Sequence, residues 1–151
     1  MTKVSELLAR DAVLLQMMSR DKIEAIRELA RPLIADGTVT DEDAFFEAIL
    51  RRENLESTGI GLGVAIPHAR TPAVAHTALA FGRSNAGIDF NSLDGRPAFL
   101  VFLIAAPEDR KTEYIMTLAR VSRLMRRDEA RIALNRAGNT EEIVAAIQQY
   151  E

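Results

Sequence analysis

The sequence predicts a single α/β domain, a small mixed β-sheet with helices on both faces. Three observations carry that prediction. Stretches of strand character alternate with stretches of helical period along the chain. The run Ala98–Ala105, Ala-Phe-Leu-Val-Phe-Leu-Ile-Ala, is apolar without alternation, the mark of a strand buried on both faces. The 151 residues, 48% hydrophobic and 27% charged, suit one domain with a substantial core.

The elements follow in order. Val4 to Arg10 reads as one or two helical turns, and Ala12 to Leu15 as a brief edge strand. Ser19 is placed to cap a helix with Asp21 in its first turn. Ile23, Ile26, Leu29, Ala30, Leu33 and Ile34 then recur at helical spacing. Pro32 lies inside that pattern and should kink or end the helix near Arg31 unless the last turn tolerates it. Gly37 closes the segment. Thr40 opens a second helix, with Asp41 and Glu42 loading its first turn and Asp43 three residues from the cap. Phe45, Phe46, Ile49 and Leu50 supply its core face, and Arg51, Arg52 and Glu53 close it.

Val64 to Ile66 is a short β-branched strand ended by Pro67. After a loop at Thr71-Pro72, Ala78 to Gly82 reads as a strand. Gly87, Asp89, Asn91 and Ser92 are turn chemistry, and Asp94-Gly95 suits a hairpin turn. Pro107 stops the long apolar strand, and Glu108 to Lys111 is a loop. A third long helix sets Ile115, Leu118, Val121, Leu124 and Met125 on one face. Arg120, Arg123, Arg126 and Arg127 occupy its solvated side and end. Asp128 caps a short helix containing Ile132 and Leu134 and stopped by Gly138. Thr140 caps the last helix, whose Ile143, Val144 and Ile147 pack inward.

Composition excludes several function classes. A net charge of −3 argues against nucleic acid as a partner, since the phosphate backbone calls for a basic field. With no cysteine, the chain has no disulfide, thiol nucleophile or thiolate metal ligand of its own. No apolar run approaches the ~20 residues that span a bilayer, and the N-terminus lacks a signal-peptide pattern. The chain reads as cytoplasmic, without repeats or low-complexity segments.

The chemistry concentrates between Ser57 and Arg70. Gly59, Gly61 and Gly63 alternate, an apolar run follows, and Pro67 stiffens the backbone just before His68. A histidine held at a strand end beside a glycine-lined surface is a candidate nucleophile. In open α/β sheets such sites form where strands end, here after His68 and after Ala105. Arg51-Arg52 reads either as an ordinary cationic helix end or as a source of one arginine facing an anion beside His68. A metal site on His68 and His76 lacks any recognised ligand spacing. The glycines lack the GxGxxG spacing of a dinucleotide loop, and there is no Walker lysine.

Arg52-Glu53, Ser57-Thr58-Gly59-Ile60-Gly61 and Ala65-Ile66-Pro67-His68-Ala69-Arg70 together resemble a known signature. It is the active-site signature of fructose/mannitol-type enzyme IIA domains of the phosphoenolpyruvate-dependent sugar phosphotransferase system, shared by the nitrogen-regulatory IIA proteins. The likeness covers nearly the whole chain, and the family's fold is of the α/β kind expected above. It implies a phosphotransferase component in which His68 carries a phosphoryl group on Nε2 while Nδ1 faces protein. It also implies that Arg52, directly before the glutamate, faces the phosphate. Thr58 and the amides of the glycine-rich segment would add donors, with no metal or cofactor. The implied donor is phospho-HPr and the implied acceptor the cysteine of a IIB domain, so the site should be a shallow, partly apolar depression. No IIB or IIC segment is seen in these residues, and the domain reads as free-standing.

One departure stands out. Where the family has His-Leu-x-x-Leu-Ala, this chain has Tyr114-Ile115-Met116-Thr117-Leu118-Ala119. Tyr114 therefore replaces the family's second histidine. Its hydroxyl can donate a hydrogen bond but supplies no positive charge at neutral pH; the residue also fits an ordinary helix start. The substitution suits the alternative role of a nitrogen-type regulatory module, which contacts target proteins according to its phosphorylation state.

Overall fold

The computed structural model describes residues 2–151. Its order is α1 (Val4–Leu7), β1 (Leu8–Leu14), α2 (Lys22–Ala35), α3 (Glu42–Leu55), β2 (Gly59–Gly61), β3 (Val64–Ala65), β4 (His68–Arg70), β5 (Ala78–Ile88), β6 (Ala98–Ala106), α4 (Lys111–Met125), α5 (Asp128–Arg136) and α6 (Thr140–Tyr150). The six strands form one mixed sheet in the order β1-β5-β6-β3-β2, with β4 also paired to β6. β1 runs parallel to β5, β5 antiparallel to β6, and both β3 and β4 parallel to β6.

The apolar run is buried on both faces, as its lack of alternation predicts. Val101, Leu103 and Ala105 of β6 pack toward α2 and α3, among Ile26, Leu29, Phe45 and Ile49. Leu100, Phe102 and Ile104 pack the other way, against Val121, Leu124, Leu134 and Ile147 of α4, α5 and α6. Each such large side chain, fully withdrawn from water, contributes roughly 1.5–3 kcal/mol. The helices therefore cover both faces of the sheet.

β3 and β4 are one strand interrupted. Val64 pairs with Leu100, Ala65 with Val101 and His68 with Ile104, so the register along β6 is unchanged across the gap. Between them the Ile66 N–H faces the β2 side and donates to the Thr58 carbonyl at 3.0 Å, and Pro67, which has no N–H, contributes only its carbonyl, 3.0 Å from Ile104 N. Val64 and Ile66 belong to the α4 side of the sheet and Ala65 and Ala69 to the α2–α3 side. Alternation sends the His68 ring to the α4 side.

Several local expectations are corrected. Asp21, Asp41 and Asn139 cap α2, α3 and α6, rather than Ser19, Thr40 and Thr140. Each accepts from the N–H three residues on, the reach of an Asx side chain at N-cap. The Ser19 hydroxyl instead donates to Glu28, and that of Thr40 to the Ala73 carbonyl. The residue before α5 is Arg127, and Asp128 already lies in the helix. Pro32 does not end α2, which continues to Ala35; it forfeits one bond near the end, and buried Leu33 holds the last turn against the sheet. β1 starts at Leu8, leaving α1 a single turn, and α3 continues past Glu53 to Leu55. β5 extends through the expected turn residues to Ile88, irregular between Arg83 and Ile88, where Gly87 takes φ +90°. On α4 the buried face includes Thr117 while Ile115 is exposed.

Candidate active site

His68 opens β4 immediately after the break in the strand. Its Nδ1 lies 2.6 Å from the Ile66 carbonyl. A carbonyl only accepts, so Nδ1 carries the hydrogen and Nε2 keeps its lone pair. The residue is only 6% exposed. Burial is the largest influence on the ring and pushes its pKa below the ordinary 6.5. The Ile66 carbonyl opposes this, the Arg52 charge adds to it, and the Glu53 charge opposes it. The outcome favours a neutral imidazole with a free Nε2, the form that acts as a nucleophile.

Arg52 comes from the last turn of α3, where its Nη1 donates to the Glu56 carbonyl at 2.8 Å. The next residue, Glu53, is 2% exposed. Its carboxylate accepts from Thr58 N at 2.9 Å and from the Thr58 hydroxyl at 2.6 Å, with Lys22 Nζ 3.9 Å away. Thr58 is buried as well. Its hydroxyl hydrogen is thus directed at Glu53, not free to meet an anion as expected. Tyr114, near the start of α4, sets its ring against that of His68, centroids 5.7 Å apart and planes tilted by 54°. Burial raises the phenol pKa, while Arg52 and Arg70 pull it back, so the hydroxyl remains protonated at neutral pH.

Arg52, Ser57, Thr58 and His68 line one depression of about 240 Å³, whose apolar part comes from Ile60, Ile66, Leu93 and Leu118. Three larger concavities, about 450, 480 and 420 Å³, are lined by Lys3, Arg120 and Arg127, by Arg20 and Arg96, and by Arg27 and Arg31. None of the three contains a histidine, so chemistry rather than size singles out the smaller one. His76 is exposed, with Nε2 3.4 Å from Thr38 Oγ1. Among the described residues no three His, Cys, Asp or Glu are grouped to hold a metal ion. No helix among them is long and apolar enough to cross a membrane.

The glycines serve the backbone rather than an open surface. Gly61 and Gly63, with Leu62 between them, all take positive φ in the tight reversal from β2 to β3. At Gly59 a Cβ would stand 2.3 Å from Ser92 Oγ, so only glycine lets the loop before β6 lie against β2.

Sequence reasoning brought together His68, Arg52, Thr58 and Tyr114, and the structure does place them in one neighbourhood. It missed Glu53 and Lys22, because burial of a charged pair from α2 and α3 leaves no local signal. It also missed Leu93, 68% exposed at the mouth. A leucine inside the polar turn Ser92–Gly95 was the available hint.

The family model for the phosphoenolpyruvate-dependent sugar phosphotransferase system, EIIA 2, matches residues 6–150. The chain is 44% identical to the fructose-specific EIIABC component of Bacillus subtilis over 99% of its own length, and spans 24% of that longer protein. It is 41% identical to the nitrogen regulatory protein of Bradyrhizobium diazoefficiens, covering 82% of this chain and 80% of that protein. The crystal structure of nitrogen regulatory protein IIA-Ntr from Neisseria meningitidis superimposes with a TM-score of 0.88 at 29% identity, over 95% of this chain and 98% of that one.

Proposed function

Because the chain belongs to the EIIA 2 family of the phosphoenolpyruvate-dependent sugar phosphotransferase system, we propose that it is a phosphocarrier that accepts a phosphoryl group from phospho-HPr on His68 Nε2 and passes it to a IIB cysteine. One observation carries this reading: the 2.6 Å contact from His68 Nδ1 to the Ile66 carbonyl leaves Nε2 as the available nitrogen in the depression that Arg52 also lines.

In the proposed step the Nε2 lone pair forms the new N–P bond while the donor's N–P bond breaks, and its electron pair stays with the donor imidazole. Nδ1 keeps its hydrogen throughout. Phosphorylation at Nε2 makes the ring cationic, a form the Ile66 carbonyl stabilises. Arg52 spends one N–H on Glu56 and has four more with which to fork onto the equatorial phosphoryl oxygens. In the second step a thiolate from the partner attacks phosphorus and the N–P electron pair returns to Nε2. The acceptor sulfur belongs to another protein, since this chain has no cysteine. Exposed Leu93 at the mouth gives each carrier an apolar contact in turn. The work is done in the cytoplasm, where the phosphoenolpyruvate-charged donor resides.

Tyr114 supports a second reading. With a phenol against His68 where the family signature has a second imidazole, the site lacks one cationic group for charge stabilisation. That suits a regulatory module in which His68 phosphorylation sets binding to target proteins. The experiment is intact-mass analysis after incubation with phosphoenolpyruvate, enzyme I and HPr. A single acid-labile phosphoryl adduct, absent from folded His68→Ala, is expected. An adduct retained by His68→Ala overturns the assignment. Addition of a IIB protein then separates the two readings: transport predicts loss of the adduct, regulation predicts its persistence.

A further inference from the structure

The buried carboxylate of Glu53 is not spent in any of the steps above. A carboxylate 2% exposed is costly unless its oxygens are satisfied. Here each oxygen takes a bond from Thr58, one from the backbone N–H and one from the hydroxyl. The nearest cation, Lys22 Nζ, is 3.9 Å away. The contacts continue beyond Thr58. Its carbonyl accepts from Ile66 N at 3.0 Å, and the Ile66 carbonyl accepts from His68 Nδ1 at 2.6 Å. A continuous series of hydrogen bonds therefore links Glu53 to the reactive ring through Thr58 and Ile66. Arg52, adjacent to Glu53 on α3, reaches the same segment at the Glu56 carbonyl.

We propose that Glu53 is a positioning residue: it grips Thr58, Thr58 fixes Ile66 across the break in the strand, and Ile66 holds the His68 ring in the tautomer and orientation that point Nε2 at the phosphoryl group. Glu53 itself touches neither donor nor phosphate. The inference rests on the reading of His68 as the phosphoryl acceptor. The charge of Glu53 acts on the ring in the direction opposite to that of Arg52 from the same helix, while Tyr114 faces the ring from α4 and Arg70 lies two residues along the strand. The two charges that act on the ring thus both come from α3.

The test combines two readouts on Glu53→Ala, Glu53→Gln, Thr58→Val and Thr58→Ser. The first is the initial rate of phosphoryl uptake from phospho-HPr, normalised to folded protein by thermal melting. The second is the 15N NMR signature of the His68 ring, which reports its tautomer without any chemistry. Glu53→Ala and Thr58→Val are expected to lower the rate by about tenfold to a hundredfold, the usual penalty for a misplaced reacting group. The double variant should lose little more than the worse single one, because both break the same series. Thr58→Ser keeps the hydroxyl, and Glu53→Gln can still satisfy both Thr58 groups; both should recover most of the rate. Glu53→Gln should also lower the His68 titration midpoint, since it removes a nearby negative charge. In the two damaging variants the ring should lose its uniform Nδ1–H tautomer.

Folded Glu53→Ala and Thr58→Val proteins with the wild-type rate and tautomer overturn the proposal. If Glu53→Ala fails to fold, Thr58→Val decides alone. If the wild type takes up no phosphate, the proposed function fails, and the tautomer decides separately: a shifted tautomer in the variants sustains Glu53 as the positioning residue, and an unchanged one ends it.

Discussion

Replacing Arg52 with alanine should have two separable effects on transfer. The first is loss of charge stabilisation on the moving phosphoryl group. Removing one preorganised donor of this kind costs about 10²–10³ in rate, or about 2.7–4 kcal/mol. Arg52 is half-buried and already spends one N–H on Glu56, so the lower figure is expected, about a hundredfold. The second effect acts on the nucleophile. Burial holds the His68 pKa below 6.5, and the Arg52 charge lowers it further. Removing that charge lets the pKa rise, so at about pH 6 less of the ring is neutral. The wild-type to variant rate ratio should therefore be about a hundredfold near pH 8 and grow as the pH falls. Arg52→Lys should keep the pH dependence and lose only the benefit of the planar fork. The assay is the initial rate of phosphohistidine formation from one preparation of phospho-HPr across that range, so titration of the donor cancels in the ratio. The variant stays folded, because the Glu56 contact is a single bond worth about 0.5–1.5 kcal/mol. A ratio below about threefold near pH 8, or one that shrinks toward acid, refutes the reasoning.

Tyr114→His should speed phosphoryl uptake, since it returns an imidazole to a position whose ring already lies 5.7 Å from that of His68; stopped-flow rates no different from wild type would deny the contact any role in transfer. Gly59→Ala would put a Cβ 2.3 Å from Ser92 Oγ and 2.9 Å from Ser92 Cα. Overpacking of this kind costs roughly 1–3 kcal/mol. At 2 kcal/mol the melting midpoint should fall by about 4–8 °C for a chain of this size, and an unshifted melt would show that the loop moves aside freely.

How much of this was legible depends on how far the information reaches along the chain. β6 was legible because burial on both faces leaves no polar residue to interrupt it. His68 was legible because proline, histidine and glycines cluster in one short stretch, and Arg52 because it precedes a glutamate in a recognisable pattern. The caps were misjudged by one or two residues: an Asp or Asn at the true cap displaced the hydroxyl residue beside it, and hydroxyls such as those of Ser19 and Thr40 found partners far along the chain. The glycines were legible as special, but their task was not; closeness to Ser92 is invisible until the loop is folded against β2. Glu53 looked like the charged end of a helix. Its burial is decided by Lys22 and Thr58, which reach it from two other segments.

The unchanged register on either side of Pro67 has an evolutionary corollary. The residues between Ala65 and His68 act as a spacer whose length decides which face of the sheet His68 takes. Deleting or inserting one of them would leave β3 seated on β6 yet rotate His68 through half a turn. The ring would then point toward Phe45 and Ile49, away from Arg52's depression. Homologous chains should therefore hold the number of these spacer residues fixed, and insertions that lengthen the protein should accumulate elsewhere, in connections between elements.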